Sequence, residues 1–277
     1  MIRGVDLSAF QARLTPAVWQ ALAAEQVRFA FVRCQVGLAS SRDGLFVEDV
    51  AGAREAAVRV GPYLFFDPTL DPIAQAEAFV RSATISPNED PVGSRVGDLP
   101  PAVDVESPPP DVWTARGLSK SFLLDRAFLC LERVELLFGC VPRFYSYPYW
   151  VNSIGGAVGA SRLGHYPLWI AGGPKYINGD GVWPESFTPP KVAIWGADAQ
   201  WWQFDGNGGH RLSNGVDVDC NLFNGDERDL ARLCREEVTS PGVQAPDPAT
   251  IAATEANVLV EDAIAEYRRT RDQGEDA

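Results

Sequence analysis

The hexapeptide Pro101-Ala102-Val103-Asp104-Val105-Glu106 sets two carboxylates two residues apart in a stretch whose alternation reads as a short buried strand. Side chains at i and i+2 leave a strand on one face, so Asp104 and Glu106 point the same way, with Cα atoms about 7 Å apart. Like charges held that close cannot both ionise freely, so at least one pKa rises and a proton donor becomes available near neutral pH. Proton donation beside a second carboxylate is the chemistry of glycosidic bond cleavage. An Asp-x-Glu pair can also decorate a solvated strand edge, but the surroundings argue otherwise. Pro100 and Pro101 stop the preceding segment, Val103 and Val105 form the opposite apolar face, and Pro108 to Pro110 end the strand after the acids. Carboxylates at the carboxyl end of a strand, just before a loop, sit where α/β barrels keep their active sites.

The elements that must position these acids alternate through the first half of the chain. Ile2 to Asp6, Arg28 to Val36, Val58 to Phe66, Pro101 to Glu106 and Pro142 to Tyr147 read as strands. Between them, Thr15-Pro16 opens a helix over Ala17 to Glu25, and Ser119 to Phe138 forms a long amphipathic helix closed by Gly139. This is the pattern of βα units around a parallel sheet. After about residue 165 the helical signals vanish, and Tyr166 to Ala171, Val192 to Trp195 and Gln200 to Phe204 are strand-like segments separated by Gly, Pro and Asn turns. The expected fold is therefore α/β: an irregular TIM-like (β/α) barrel with βα units in the first half and mostly β-strands in the second. A helix over Glu227 to Arg235 closes this domain, residues 1–238. Residues 239–248, rich in Pro, Ser, Gly and Ala, read as a linker, and 249–277 as a separate carboxy-terminal amphipathic helix and tail.

Composition excludes several function classes. A net charge of −13 over 277 residues argues against nucleic acid, whose phosphates need Lys and Arg. The five cysteines are widely spaced without a CxxC, so neither a zinc site nor a redox motif is supported. No run approaches a membrane span, and Met1 to Asp6 passes into strand-like sequence without the apolar core of a signal peptide. The expectation is synthesis in the cytoplasm with no membrane association, no cofactor and no metal. A calcium loop over Asp217, Asp219 and Asn221 fails, because Leu222 stands where the sharp-turn Gly belongs and Arg228 where the bidentate Glu belongs. Gly159-Ala160-Ser161-Arg162-Leu163 lacks the second Gly of a nucleophile elbow, and Gly206-Asn207-Gly208-Gly209 precedes no helix that could cradle a phosphate.

Two further acids end apparent strands: Asp6 in Gly4-Val5-Asp6-Leu7-Ser8, and Asp219 in Val218-Asp219-Cys220-Asn221-Leu222-Phe223-Asn224-Gly225. With Gly61-Pro62-Tyr63-Leu64-Phe65, Asp104-Val105-Glu106, Trp169-Ile170-Ala171 and Trp202-Gln203-Phe204, they form an ordered set over residues 1 to about 236. In that set the chain resembles the family 25 glycoside hydrolases, the muramidases or lysozymes found in many phage endolysins. The resemblance implies cleavage of the β-1,4 bond between N-acetylmuramic acid and N-acetylglucosamine in peptidoglycan glycan strands. It implies Glu106 as general acid and Asp104 as its partner, with Asp6 and Asp219 completing an acidic floor. Asp104 would either stabilise an oxocarbenium-like centre or orient the substrate acetamido group as an internal nucleophile. Leu64 departs from the family's frequent His in the GxYHF strand, which puts a sugar contact there in doubt.

Asp217 competes with Asp219 for the last site, since it precedes it by two residues and faces the same side. Tyr63, Phe65, Tyr147, Trp169 and Trp202 are the aromatics expected to stack on pyranose rings; Trp201 and Trp202 must face opposite ways, and the motif favours Trp202. A chitinase-like hydrolase would carry DxxDxDxE, but Leu99 and Ala102 occupy the earlier acidic positions. The other rival is a non-catalytic virion or wall-binding protein on the same fold. The resemblance further implies a phage lysin, released by holin pores or carried in a particle to the bacterial wall. The carboxy-terminal helix would then serve self-association, docking to a phage structural protein, or packing on its own barrel.

Overall fold

The structure is a computed structural model and describes residues 1–236 apart from 12, 155–159, 174–182, 193–198 and 212–216. The expected linker and carboxy-terminal helix lie outside the described residues, as does most of the strand expected at Val192 to Trp195. Eight strands close a barrel in sequence order: β1 (Ile2–Leu7), β2 (Val27–Val36), β3 (Arg59–Phe65), β4 (Ala102–Asp104), β5 (Arg143–Ser146), β6 (Leu168–Ala171), β7 (Trp201–Arg211) and β8 (Asp217–Phe223). Pairs from β1–β2 through β6–β7 are parallel, while β8 runs antiparallel to both β7 and β1. The irregular TIM-like barrel expected from the alternation is thus present. Its irregularity is the β7–β8 hairpin, which replaces the last crossover.

Helices α1 (Pro16–Ala24), α2 (Phe46–Glu55), α3 (Pro72–Ala83), α4 (Pro110–Ala115), α5 (Lys120–Phe138), α6 (Pro148–Ile154) and α7 (Glu227–Leu233) complete the domain. Their ends follow capping chemistry. Ser119 accepts from the Phe122 N–H, and Gly139 closes α5 at φ 67°, a left-handed conformation that favours glycine. Asp71 accepts from the Ala74 N–H with Pro72 behind it, a start signal for α3. Asp226 and Asp229 form a reciprocal capping box on α7.

Packing falls in two layers. Outside the sheet, Val5, Val32, Leu64, Val103, Phe144 and Ile170 meet the helices. Inside it, Phe29, Phe31, Tyr63, Tyr145, Trp169 and Trp201 fill the barrel, and Leu99, Leu230 and Cys234 close its amino-terminal end. This interior explains Gly4: a Cβ there would collide with the Phe29 ring. All five cysteines are free. Among the described residues no helix is long and apolar enough to cross a membrane.

Candidate active site

The carboxyl ends of β1 and β4 bring together the acids that the sequence separates by almost a hundred residues. Asp6 stands on the inner face of β1, in register with Asp219 across the antiparallel β1–β8 pair. Asp104 is the last residue of β4, flanked in register by Phe65 on β3 and Tyr145 on β5. Glu106 lies beyond the strand. The expected strand through Glu106 is therefore a correction: the ladder to β3 ends as Phe66 N–H donates to the Asp104 carbonyl at 2.9 Å. Only β5 continues to hold the segment, through Val105 N–H to the Tyr145 carbonyl at 2.9 Å and the Ser146 hydroxyl to the Val105 carbonyl at 2.7 Å. Those two bonds keep the backbone extended, so Glu106 still follows Asp104 toward the barrel mouth.

Burial dominates the electrostatics. Asp6 and Asp104 are buried and Glu106 is partly buried. Desolvation raises the Asp6 carboxyl to about 6 against hydrogen bonds from Asn221 and Gln203 that pull it down. Glu106 is raised to about 7, by desolvation first and the charge of Asp6 second. Asp104 is pushed well above the usual carboxylate range by burial, then by Glu106 and Asp6, against the opposing field of Arg33. The repulsion expected between Asp104 and Glu106 is present, but it ranks below loss of water as the cause. Asp104 Oδ1 has no hydrogen-bond partner among the described residues.

Asp6 is held by a polar network that the sequence reading missed. Gln203 Nε2 and Asn221 Nδ2 each donate to Asp6 Oδ2 at 2.7 Å. The Tyr145 hydroxyl donates to Gln203 Oε1 at 2.9 Å, and the Trp169 indole N–H donates to Asn221 Oδ1 at 2.8 Å. Gln203 and Asn221 were visible as letters of the WQF and VDxNxFxG motifs; nothing in the sequence said they meet over Asp6. Arg33, also missed, enters from β2 and is anchored by its Nε to Asp43 at 2.8 Å.

The structure divides the remaining site expectations. Asp219 lies beside Asp6, whereas Asp217 is exposed and pairs in register with Arg211 on the hairpin extension. Tyr63 and Trp169 are buried beneath the acids, Trp169 stacked on Phe31 with centroids 4.5 Å apart, so they form a floor and offer no open face. Phe65 and Tyr147 are partly buried at the mouth. Trp202 is a correction: it lies on the outer face of β7 against Phe187 and Phe204, with its indole N–H on the Gly172 carbonyl at 2.6 Å. Gln203 next to it takes the inward position, and alternation then forces Trp202 outward. Among the described residues, the aromatic rings most open to solvent at this end are Phe10 after β1, 87% exposed, and Tyr149 after β5, 58% exposed. Phe10 is not loose: Arg33 lies 4.7 Å from its ring centroid, and its N–H bonds the Ser8 hydroxyl at 3.2 Å. Among the described residues no group of three or more His, Cys, Asp or Glu is arranged to hold a metal ion.

Comparison with known proteins adds four findings. A family model described as "Glycosyl hydrolases family 25" matches residues 5–210. A protein of Escherichia coli O157:H7 named "Uncharacterized protein YegX" is 28% identical over 238 residues, covering 83% of this chain and 72% of that protein. Among solved structures, a muramidase from Acremonium alcalophilum is similar at 25% identity and TM-score 0.63, covering 84% of this chain and 99% of the other. A lysozyme from Streptomyces coelicolor shares the fold at 22% identity and TM-score 0.65, covering 84% and 96%.

Proposed function

Since this chain belongs to glycosyl hydrolases family 25, we propose that it hydrolyses peptidoglycan as an N-acetylmuramidase, cutting the β-1,4 bond between N-acetylmuramic acid and N-acetylglucosamine. The observation that carries this reading is the convergence of Asp6, Asp104 and Glu106 at the barrel mouth, all with raised pKa values. A carboxyl raised to about 7 retains its proton through the mildly acidic range in which an ordinary glutamate has lost it. Glu106 is thus suited to protonate the leaving glycosidic oxygen.

Asp104 is the partner. Its unpartnered Oδ1 is suited to receive the N–H of a substrate acetamido group, which favours orienting that group as the internal nucleophile over stabilising the oxocarbenium-like centre alone. Asp6 supplies negative charge that supports protonated Glu106, and Asp219 extends the acidic floor. Phe65 and Tyr147, with the exposed rings of Phe10 and Tyr149, provide apolar faces for flanking sugars. The biological setting we favour is a phage lysin: the similar folds include the catalytic domain of an endolysin from a Listeria monocytogenes phage, at 17% identity and TM-score 0.58.

Digestion of purified sacculi followed by borohydride reduction and mass spectrometry tests the reading. Muramitol ends that appear with the wild-type protein and vanish with Glu106→Gln support it. Glucosaminitol ends would reassign the bond. Absence of any new reducing end from pH 4 to 8, with the protein still sedimenting with sacculi, would favour the non-catalytic wall-binding alternative.

A further inference from the structure

We propose that Trp169 and Tyr145 are positioning residues for Asp6: by fixing the amide orientations of Asn221 and Gln203, they saturate Asp6 Oδ2 with donors and leave Oδ1 as the carboxylate's working oxygen. The inference deepens the muramidase reading and rests on it, because its purpose is to keep Asp6 charged beside the acid.

The argument starts from what each group can do. An indole N–H only donates. With Trp169 donating to Asn221 at 2.8 Å, the atom it meets must be Oδ1, so Nδ2 is turned toward Asp6, where it donates at 2.7 Å. An asparagine rotated the other way would set N–H against N–H at one end and oxygen against oxygen at the other. At Gln203 the acceptor-only Asp6 carboxylate requires Nε2 at its end, where it donates at 2.7 Å, and the Tyr145 hydroxyl, donating to Oε1 at 2.9 Å, secures the other end of the amide in that orientation. Both lone-pair directions of Oδ2 are then occupied, whereas no described protein group donates to Oδ1. Protonation is steered to Oδ1, and the charged form is favoured by two short hydrogen bonds within a buried site.

The placement of these side chains suits the task. Asn221 and Gln203 are buried and in register with each other across β7–β8, and Trp169 and Tyr145 are locked in the barrel interior with ring centroids 4.5 Å apart. The titratable groups around Asp6 are Asp219 from β8, Asp104 and Glu106 from the β4 end and Tyr63 from β3; Arg33 from β2 acts on Asp104 and Tyr63, and Asp205 on β7 pairs in register with Cys220, which packs outside the sheet. Burial is what raises Asp6 and the two amides are what oppose it, so without them the neutral form would be favoured further and its field on Glu106 weakened.

The test is a carbon-13 carboxyl titration of aspartate-labelled protein, with the Asp6 resonance assigned by its absence in Asp6→Asn. Tyr145→Phe removes one hydroxyl and keeps the ring; Asn221→Leu is close in shape and removes the other arm. We expect the apparent pKa of Asp6 to rise by about one unit in each. Hydrolysis should show kcat lowered about tenfold with KM within about twofold, and an alkaline limb moved to lower pH as Glu106 loses the charge that keeps it protonated. Trp169→Phe should reproduce Asn221→Leu if its fold persists. An unchanged Asp6 titration in folded Tyr145→Phe and Asn221→Leu overturns the proposal, even if both lose activity. Shifted titration in a wild-type protein that releases no muramitol ends would uphold the positioning and sink the muramidase reading separately.

Discussion

Replacing Glu106 with Gln separates catalysis from stability in opposite directions, and the sizes can be worked from the site. The isostere keeps shape and hydrogen-bonding capacity but has no proton to transfer, so hydrolysis should fall by a factor of about 10² or more. Stability should rise. Glu106 is lifted from 4.5 to about 7 on folding, so the folded state holds its proton while the unfolded chain has released it. Wild-type stability is fully present below about pH 4.5 and is lost as pH climbs toward 7, because ionising the buried carboxyl opposes folding. The shift of about 2.5 units corresponds to an upper bound of about 3 kcal/mol at 1.36 kcal/mol per unit. Solvent reaching a partly buried side chain reduces this to about 1–2 kcal/mol. For a domain of this size that is about 2–8 °C in Tm. Calorimetry of both proteins at pH 4 and pH 8 should therefore show coincident Tm values at pH 4 and a more stable variant at pH 8. A variant less stable at pH 8, or offset equally at both pH values, would refute the assignment of Glu106 as a desolvated acid; turnover near wild type would refute its role.

The remaining expectations concern the edges of the site. Asp219→Asn should lower kcat at least about tenfold, while Asp217→Asn, on the exposed hairpin, should stay within about twofold; the reverse order would mean that the acid beside Asp6 is idle. Phe10→Ala should raise KM about three- to tenfold with little change in kcat, measured on defined glycan oligomers, since stacking lost equally from ground and transition states is uniform binding. Trp202→Phe should leave KM unchanged and lower Tm, because the ring packs outside the barrel; a raised KM would restore it to the cleft. A chain ending at Thr239 should keep hydrolysis of soluble fragments, and loss of activity in a folded truncation would move the domain boundary.

What was legible in the sequence was periodic or punctuated. The strands β1, β2, β3 and β5 were readable within about two residues because β-branched and aromatic runs end at Gly or Pro, and α5 was readable because Ser119 and Gly139 mark both ends. Helix α2 carries no such mark: Leu45 occupies its N-cap without a side-chain bond, so only tertiary packing of Phe46, Val50 and Ala53 reveals it. The site shows the same division. Asp6, Asp104 and Glu106 announce themselves as acids at strand ends, a position that depends only on local sequence. Which neighbour faces inward depends on parity along a strand, and parity is set by pairing with a distant partner. Gln203 is inward because it pairs with Asn221 on β8, eighteen residues away; that single register choice sends Trp202 outward and brings two amides onto Asp6. The register is itself held by polar bonds, from Tyr145 on one side and Trp169 on the other, so the groups that choose the inward residue also orient it. A one-residue slip of β7 would therefore cost more than packing: it would set the Trp202 indole against the Asp6 carboxylate and take away the Gln203 amide, leaving Asn221 on β8 as the one amide donor of the pair.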